Sequence, residues 1–114
     1  MLRIDARELE GVVVLDLAGL LNLGPPIRLL AEHIQLAVQR TEPKVLLNLK
    51  AVTFIDSMGL GELVASYTTV KKHGGSLVLA APGEFVAQVL KVARLPDVIK
   101  VCESTDQALA ALAD

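Results

Sequence analysis

Short strand-like and helix-like segments alternate along this chain, and the alternation limits the folds that it can adopt. Two strand-like segments open it, Leu2 to Arg7 and Val12 to Leu17, and a helical segment begins at Pro25-Pro26. A strand followed by a helical crossover pairs in parallel with the next strand, and such crossovers are right-handed. The sequence therefore predicts a mixed, mostly parallel sheet with one antiparallel strand near its edge.

The later segments continue this pattern. Residues 19–24 are predicted to form a loop and 44–49 a central strand that continues extended through 52–55. Further strands are predicted at 76–80 and 98–102, and helices at the positions after Asp56, after Pro82 and over Thr105 to Ala113. Ser104 and Gln107 form a capping box for the last helix. We thus expect an α/β domain with about five strands and about four helices.

The composition indicates an aliphatic core. Hydrophobic residues make up 53% of the chain but aromatic residues only 3%, and globular chains usually contain about 45–50% apolar residues. Such a composition suits a parallel sheet covered by helices better than an aromatic-rich β-sandwich. The 114 residues suit one hydrophobic core, so we expect a single domain over residues 1–114.

Charge and cysteine content narrow the class of protein further. The formal net charge is −2, with 11 basic and 13 acidic residues interspersed, so we expect no nucleic-acid partner. The lone Cys102 lies in a predicted strand, which fits a buried thiol and a reducing compartment. No uncharged apolar run reaches the roughly 18 residues of a membrane span, and the N-terminus lacks a signal-peptide centre. We therefore expect a cytoplasmic protein without direct membrane insertion.

No set of side chains in the sequence resembles a catalytic or metal site. His33 and His73 have no Cys, His or Asp partner at metal-ligand spacing, His33 is expected on an exposed helix face, and His73 is expected at a helix C-terminus. The phosphate-binding loop and the Gly-x-Ser-x-Gly elbow are both missing. Asp5 and Asp16 could face each other across two strands, but no pocket is predicted around them. We expect no enzyme, no cofactor and no metal.

The segment Thr53 to Gly61 is the most informative part of the sequence. It runs from a strand directly into a helix, with Ser57 placed to be the N-cap. Gly59 and Gly61 each cost roughly 1 kcal/mol against alanine inside a helix, so two within one turn require a reason. Either they leave the backbone bare for a partner and the Ser57 hydroxyl unobstructed, or they pack tightly on the sheet. The residues alone leave both explanations open.

This segment resembles the signature of the STAS domain family, in which an apolar strand ends in Asp-Ser-x-Gly-Leu-Gly. That family contains anti-sigma factor antagonists and the tails of sulfate transporters. The resemblance extends to the preceding strand and to most of the chain after it, at 44–50, 73–79, 89–95 and 106–112. It implies a STAS-type mixed sheet.

The resemblance also implies a switch. In anti-sigma factor antagonists, the serine after the aspartate is phosphorylated by a kinase that is itself the anti-sigma factor, and a phosphatase resets it. By that match Ser57 is the phosphoacceptor, and the partner supplies ATP and Mg²⁺. Asp56 would orient the loop and present Ser57, or it would only be a carboxylate favoured at a helix start. The predicted partner-binding residues are Asn22, Asp56, Ser57, Met58, Gly59, Leu60 and Gly61, and a homodimer is also possible.

Two positions depart from the family pattern. Met58 stands where a second serine is frequent, and Asn22 stands where the loop after the second strand commonly carries aspartate. The same loop holds Leu20, Leu21 and Leu23, which either form a contact surface or fold back on the core. These departures keep two alternatives open. One is a phosphorylation-independent STAS subunit of a transporter or other membrane-associated complex. The other is a sensor of an apolar or nucleotide ligand bound over the start of the Ser57 helix.

Overall fold

Five strands form one sheet in the computed structural model of the chain, which describes residues 1–113. In spatial order, which is also chain order, they are β1 (Leu2–Leu9), β2 (Val12–Leu21), β3 (Lys44–Ile55), β4 (Ser76–Ala80) and β5 (Val101–Cys102). β1 pairs antiparallel with β2, and every other pair is parallel. The predicted mixed sheet with an antiparallel edge strand is confirmed.

Four helices cover the two faces of this sheet. They are α1 (Pro25–Ala37), α2 (Ser57–Lys72), α3 (Glu84–Val92) and α4 (Thr105–Leu112). The first three bury residues such as Leu30, Leu63 and Leu90 in one apolar cluster with Leu47 of β3. α4 packs on the opposite face, where its buried residues join Leu46 in a second cluster. Adjacent residues of β3 thus point to opposite faces, and because both faces are covered, the strand is a nearly continuous apolar run.

Two strands are longer than predicted. β2 continues to Leu21 and pairs with β3 through Leu21 and Ile55, so the predicted loop over 19–24 shrinks to residues 22–24. Its pairing shifts register twice, between Asp16 and Ala18 and between Gly19 and Leu20. These irregularities interrupt the period of two on which strand prediction depends, so the boundary at Leu17 was wrong.

β1 continues to Leu9 because it forms a tight hairpin with β2. Leu9 pairs with Val12, and the two residues between them, Glu10 and Gly11, have φ angles of 53° and 81°. Positive φ at both central positions is typical of the turn whose twist matches paired strands. The predicted end of this strand at Arg7 was therefore two residues too early.

The last strand is shorter than predicted. Residues Leu95–Asp97 form a 3₁₀ turn and Ile99 is fully buried in the larger cluster, which leaves only Val101–Cys102 paired with β4. Cys102 is buried, as expected. α4 is capped by Ser104, whose hydroxyl accepts from the N–H of Gln107 at 3.1 Å. The Gln107 side chain in turn accepts from the N–H of Glu103 at 3.0 Å. The predicted capping box pairs it with the N–H of Ser104, one residue later.

Candidate functional site

Asp56 and Ser57 lie at the junction of β3 and α2. Asp56 has an extended backbone, and its Oδ1 accepts a hydrogen bond from the N–H of Gly59 at 2.8 Å. Asp56 is therefore the N-cap, and the prediction that Ser57 caps the helix was wrong by one residue. A carboxylate gains additional stabilisation from the helix dipole at this position. Ser57 is the first residue of α2, and its side chain is exposed and not needed for capping.

The second oxygen of Asp56 holds the loop over residues 22–24. Oδ2 accepts from the N–H of Leu23 at 3.0 Å, and the N–H of Asp56 donates to the carbonyl of Leu21 at 3.4 Å. The hydrogen bonds from Gly59 and Leu23 hold the pKa of Asp56 below its usual value. One carboxylate thus joins the loop to the first turn of α2, and the loop flanks Ser57.

Replacing Asp56 with asparagine is expected to separate these two tasks and to change the pH dependence of stability. Asparagine can still cap Gly59 through its carbonyl oxygen, but its NH₂ group cannot accept from Leu23. Because the folded-state pKa of Asp56 is depressed, its contribution is present above the unfolded pKa of about 3.9 and is lost as pH falls through the folded pKa. Urea midpoints should therefore be lower for Asp56→Asn at neutral pH and converge with wild type in acid.

Asp106 offers a matched control for this experiment. It is an exposed carboxylate in the first turn of α4 that does not cap the helix. Asp106→Asn removes the same charge from near a helix start without removing a cap, so its midpoint should move less than that of Asp56→Asn. Equal effects of the two substitutions at every pH would show that the contacts of Asp56 contribute nothing beyond a charge near a helix start.

The two glycines of α2 have different surroundings. Gly59 is buried, and a Cβ there would overlap the carbonyl oxygen of Leu21 and lie 2.8 Å from Cγ1 of Ile55. Gly61 is exposed, and a Cβ there would have no neighbour within 4 Å. Gly59 thus permits close packing on the end of β2, whereas Gly61 leaves bare backbone on the surface. Close packing on the sheet therefore accounts for Gly59 but not for Gly61.

The remaining predicted residues surround Ser57 at different depths. Met58 has 48% of its surface exposed, whereas Leu60 and Asn22 are half-buried. The loop leucines differ in burial: Leu21 is fully buried in the core, Leu20 is half-buried, and Leu23 is 67% exposed. The surface available to a partner therefore consists of Ser57, Met58 and Gly61, with Leu23 beside them.

An exposed aromatic pair near this surface was missed by the sequence analysis. Phe54, near the end of β3, and Phe85, in the first turn of α3, stack with ring centroids 6.0 Å apart and an interplanar angle of 15°. They are the only phenylalanines in the chain, and they are 40% and 52% exposed. The buried face of α3, formed by Val86 and Leu90, leaves Phe85 outside it. The helical period alone was the signal that could have identified Phe85 as a surface residue.

Candidate metal ligands are not gathered at one place in the part of the chain that the structure describes. Residues 1–113 contain no group of three or more His, Cys, Asp or Glu side chains that could hold a metal ion. His33, which is half-buried and not exposed as predicted, donates from Nδ1 to the carbonyl of Leu29 at 3.0 Å. His73 is the C-cap of α2 and bonds the carbonyl of Thr69 in the same way.

The predicted pairing of Asp5 and Asp16 is present but serves the sheet. The two residues face each other in the register of β1 and β2. The Asp16 carboxylate accepts from Arg7 at 2.6 Å and from Asn48 at 2.7 Å, and these hydrogen bonds, that of Arg7 above all, hold its pKa below the usual value. Asp16 is thus engaged in a cross-strand network. Among the helices of residues 1–113, none has the length and apolar character to span a membrane.

Comparisons with known proteins agree with this fold. The family model described as STAS domain matches residues 3–108. An anti-sigma-B factor antagonist from Bacillus subtilis is 28% identical over 105 residues, which covers 92% of this chain and 94% of the relative. A solved structure from Thermotoga maritima, provisionally described as an anti-sigma factor antagonist, is 24% identical with a TM-score of 0.86, covering 96% of this chain and 93% of that one. The STAS domain of a SulP transporter from Vibrio cholerae is 18% identical with a TM-score of 0.69, covering 92% and 83%.

Proposed function

Since this chain belongs to the STAS domain family, we propose that it is a partner-switching regulator of the anti-sigma factor antagonist type in bacterial transcription, and not an enzyme. In this proposal an anti-sigma factor, itself a serine kinase, binds the unphosphorylated protein and releases its sigma factor. Phosphorylation of Ser57 ends that complex, and a phosphatase restores it. A cytoplasmic location and a single STAS domain are part of the same proposal. The relative from Bacillus subtilis bears the matching description.

The observation that carries the proposal is the free, exposed hydroxyl of Ser57 at the first position of α2. Because Asp56 occupies the cap, Ser57 can be modified without loss of the helix start. A phosphate there would add about −1.5 to −2 charges at neutral pH. The N–H of Gly59 and the N–H of Leu23 already donate to Asp56, so neither would neutralise a phosphate. The new charge would instead remain at the surface. A docked partner would have to desolvate it, which lowers the binding free energy.

The test is capture of partners from lysate of the native host with two baits, wild type and Ser57→Ala, combined with phosphosite mapping of the wild-type bait. We expect phosphate on Ser57 of the wild type and stronger retention of an ATP-binding anti-sigma factor kinase by Ser57→Ala. If Ser57 carries no phosphate and both baits hold the same partners, the switch is rejected. Transporter or other membrane-complex subunits among those partners would then favour the phosphorylation-independent alternative, which Met58 and Asn22 suggest.

We also propose that Phe54 and Phe85 anchor the same partner. Aromatic residues, phenylalanine included, are enriched in protein interfaces, and truncating a residue that dominates an interface costs about 2 kcal/mol or more, or about 30-fold in affinity. Phe54 lies two residues before Asp56 in the sequence, so the pair borders the strand end that leads into Ser57, and both rings are exposed. An apolar anchor next to a switchable charge would give both affinity and release.

Phe85→Ala is therefore expected to weaken binding of the captured kinase by about 30-fold, while the thermal midpoint changes little because the ring is half exposed. Val92→Ala is the matched control, since Val92 is a 77% exposed apolar residue at the other end of α3. Binding measured by calorimetry should be unchanged in the control. Unchanged binding by Phe85→Ala itself would remove the aromatic pair from the interface.

A further inference from the structure

A cavity of about 550 Å³ lies beside the Ser57 site, between the start of β1, the loop over residues 22–24 and the first turns of α1. Leu23, Leu29, Pro25 and Pro26 form much of its apolar wall. Cavities of roughly 300–1,000 Å³ with apolar walls and a few polar groups are typical of small-molecule sites. The volume and the lining therefore indicate a ligand with a bulky apolar body.

Two charged side chains in the lining, Arg28 and Glu32, indicate what else the ligand carries. They are four residues apart on α1, so they share one face with Cβ atoms about 5–6 Å apart. Despite this spacing they form no ion pair with each other, and neither has an ion-pair partner within residues 1–113. Among its side chains, the cavity thus offers one cation and one anion, both exposed and without an ion-pair partner, and the amide of Asn22 is its third polar side chain.

We propose that this cavity binds a zwitterionic small molecule with an apolar body, of the chemical class of the bulky apolar α-amino acids. A singly charged anion would meet Glu32 as well as Arg28, and a singly charged cation would meet Arg28 as well as Glu32. A ligand with a carboxylate and an ammonium group on one carbon pairs with both side chains at their spacing along the helix. Its apolar side chain then packs against Leu23, Leu29 and the two prolines.

The cavity is connected to the switch through Leu23. The side chain of Leu23 lines the cavity, and its N–H donates to Asp56 Oδ2 at 3.0 Å. A second groove shares Leu23 and Arg28 with the cavity and extends to Met58, next to Ser57. A ligand that moves Leu23 therefore changes the hydrogen bonding of the residue that caps the Ser57 helix. This coupling rests on the function proposed for Ser57, whereas binding of the ligand does not.

The test is calorimetric titration of the full chain with L-phenylalanine, L-leucine and L-tryptophan as probes. N-acetyl-L-phenylalanine, which lacks the ammonium, and L-phenylalaninamide, which lacks the carboxylate, are the matched single-charge ligands. We expect at least one zwitterion to bind, and to bind at least about tenfold more tightly than its single-charge analogues, because a hydrogen bond to a charged group contributes enough for such a ratio.

Variants of the two charged residues complete the test. Arg28→Gln and Glu32→Gln should each weaken ligand binding by about tenfold or more. The double variant Arg28→Glu with Glu32→Arg, which exchanges the two charges, should recover part of the lost affinity. Glu84→Gln, an exposed charge removed from α3, should leave binding unchanged. Absence of saturable binding at millimolar concentration, equal binding of the single-charge analogues, or indifference to Arg28→Gln would each overturn the proposal.

The coupling has its own measurement. Backbone amide resonances of Leu23 and Asp56 should shift on addition of the bound zwitterion, and the shift at Leu23 should be smaller in Asp56→Asn. If the ligand binds and these resonances do not shift, the binding site is supported and its coupling to the Ser57 switch is rejected. If Ser57 proves to be unphosphorylated in the cell, the binding results remain valid, so the two proposals fail separately.

Discussion

Ser57→Asp is expected to weaken binding of the anti-sigma factor kinase by about 100-fold, or about 2.7 kcal/mol. Complete switching from mostly bound to mostly free requires roughly 5.5 kcal/mol, and a single carboxylate carries less charge than a phosphate, so the substitution should give part of that effect. The fold should be unaffected, since an acidic residue is favoured in the first turn of a helix and Ser57 is exposed. Calorimetry with the purified kinase would measure the affinity, and urea denaturation would measure the stability.

Thr68→Asp provides the matched control. Thr68 is exposed on the same helix, eleven residues after Ser57, which at 1.5 Å per residue is about 16 Å along the axis. That distance is about twice the Debye length of about 8 Å at physiological ionic strength, so the second charge should change affinity by less than about threefold. Equal weakening by both substitutions would indicate a general effect of negative charge on α2 and would contradict a switch located at Ser57.

Gly59→Ala and Gly61→Ala are expected to change stability in opposite directions. At position 59 the new methyl group would overlap the carbonyl oxygen of Leu21, and because that carbonyl belongs to a paired strand, the helix start must move. We expect a loss of about 3 kcal/mol in the free energy of unfolding, at the upper end of overpacking effects. At position 61 the methyl group meets no neighbour, so the better helix propensity of alanine should stabilise the protein by up to about 1 kcal/mol.

Thermal and urea unfolding of the two variants would measure this difference, since each is the other's control for the same chemical change on the same helix. With roughly 4 °C per kcal/mol for a domain of this size, the midpoints should separate by more than about 10 °C. An unchanged unfolding midpoint for Gly59→Ala would show that the end of β2 can adapt to the methyl group and that the glycine is not required for packing. Binding by Gly61→Ala would further report whether the partner approaches the exposed backbone closely.

Local chemistry made much of this protein predictable from its sequence. The aliphatic composition, the order of strand-like and helical segments, and the start of α1 at Pro25-Pro26 were sufficient for the sheet, because these depend on side-chain periodicity and on backbone restrictions of single residues. Leu30 and Ile34 are spaced four residues apart, which predicts one helix face, and both are buried on α1. The position of Ser57 at the junction of a strand and a helix also followed from its neighbours in the sequence.

Whether Asp56, Gly59 and Gly61 contact distant parts of the chain depends on the tertiary structure alone. Asp56 became the N-cap, because its carboxylate can reach both Gly59 and Leu23, and Leu23 lies 33 residues away in sequence. The two glycines differ only because the end of β2 packs over Gly59 and nothing packs over Gly61. Contacts between distant segments depend on register and packing, which no local pattern encodes. The sequence therefore determined the order of the elements and the place of Ser57 between a strand and a helix, and the packing determined the cap, the aromatic pair and the cavity.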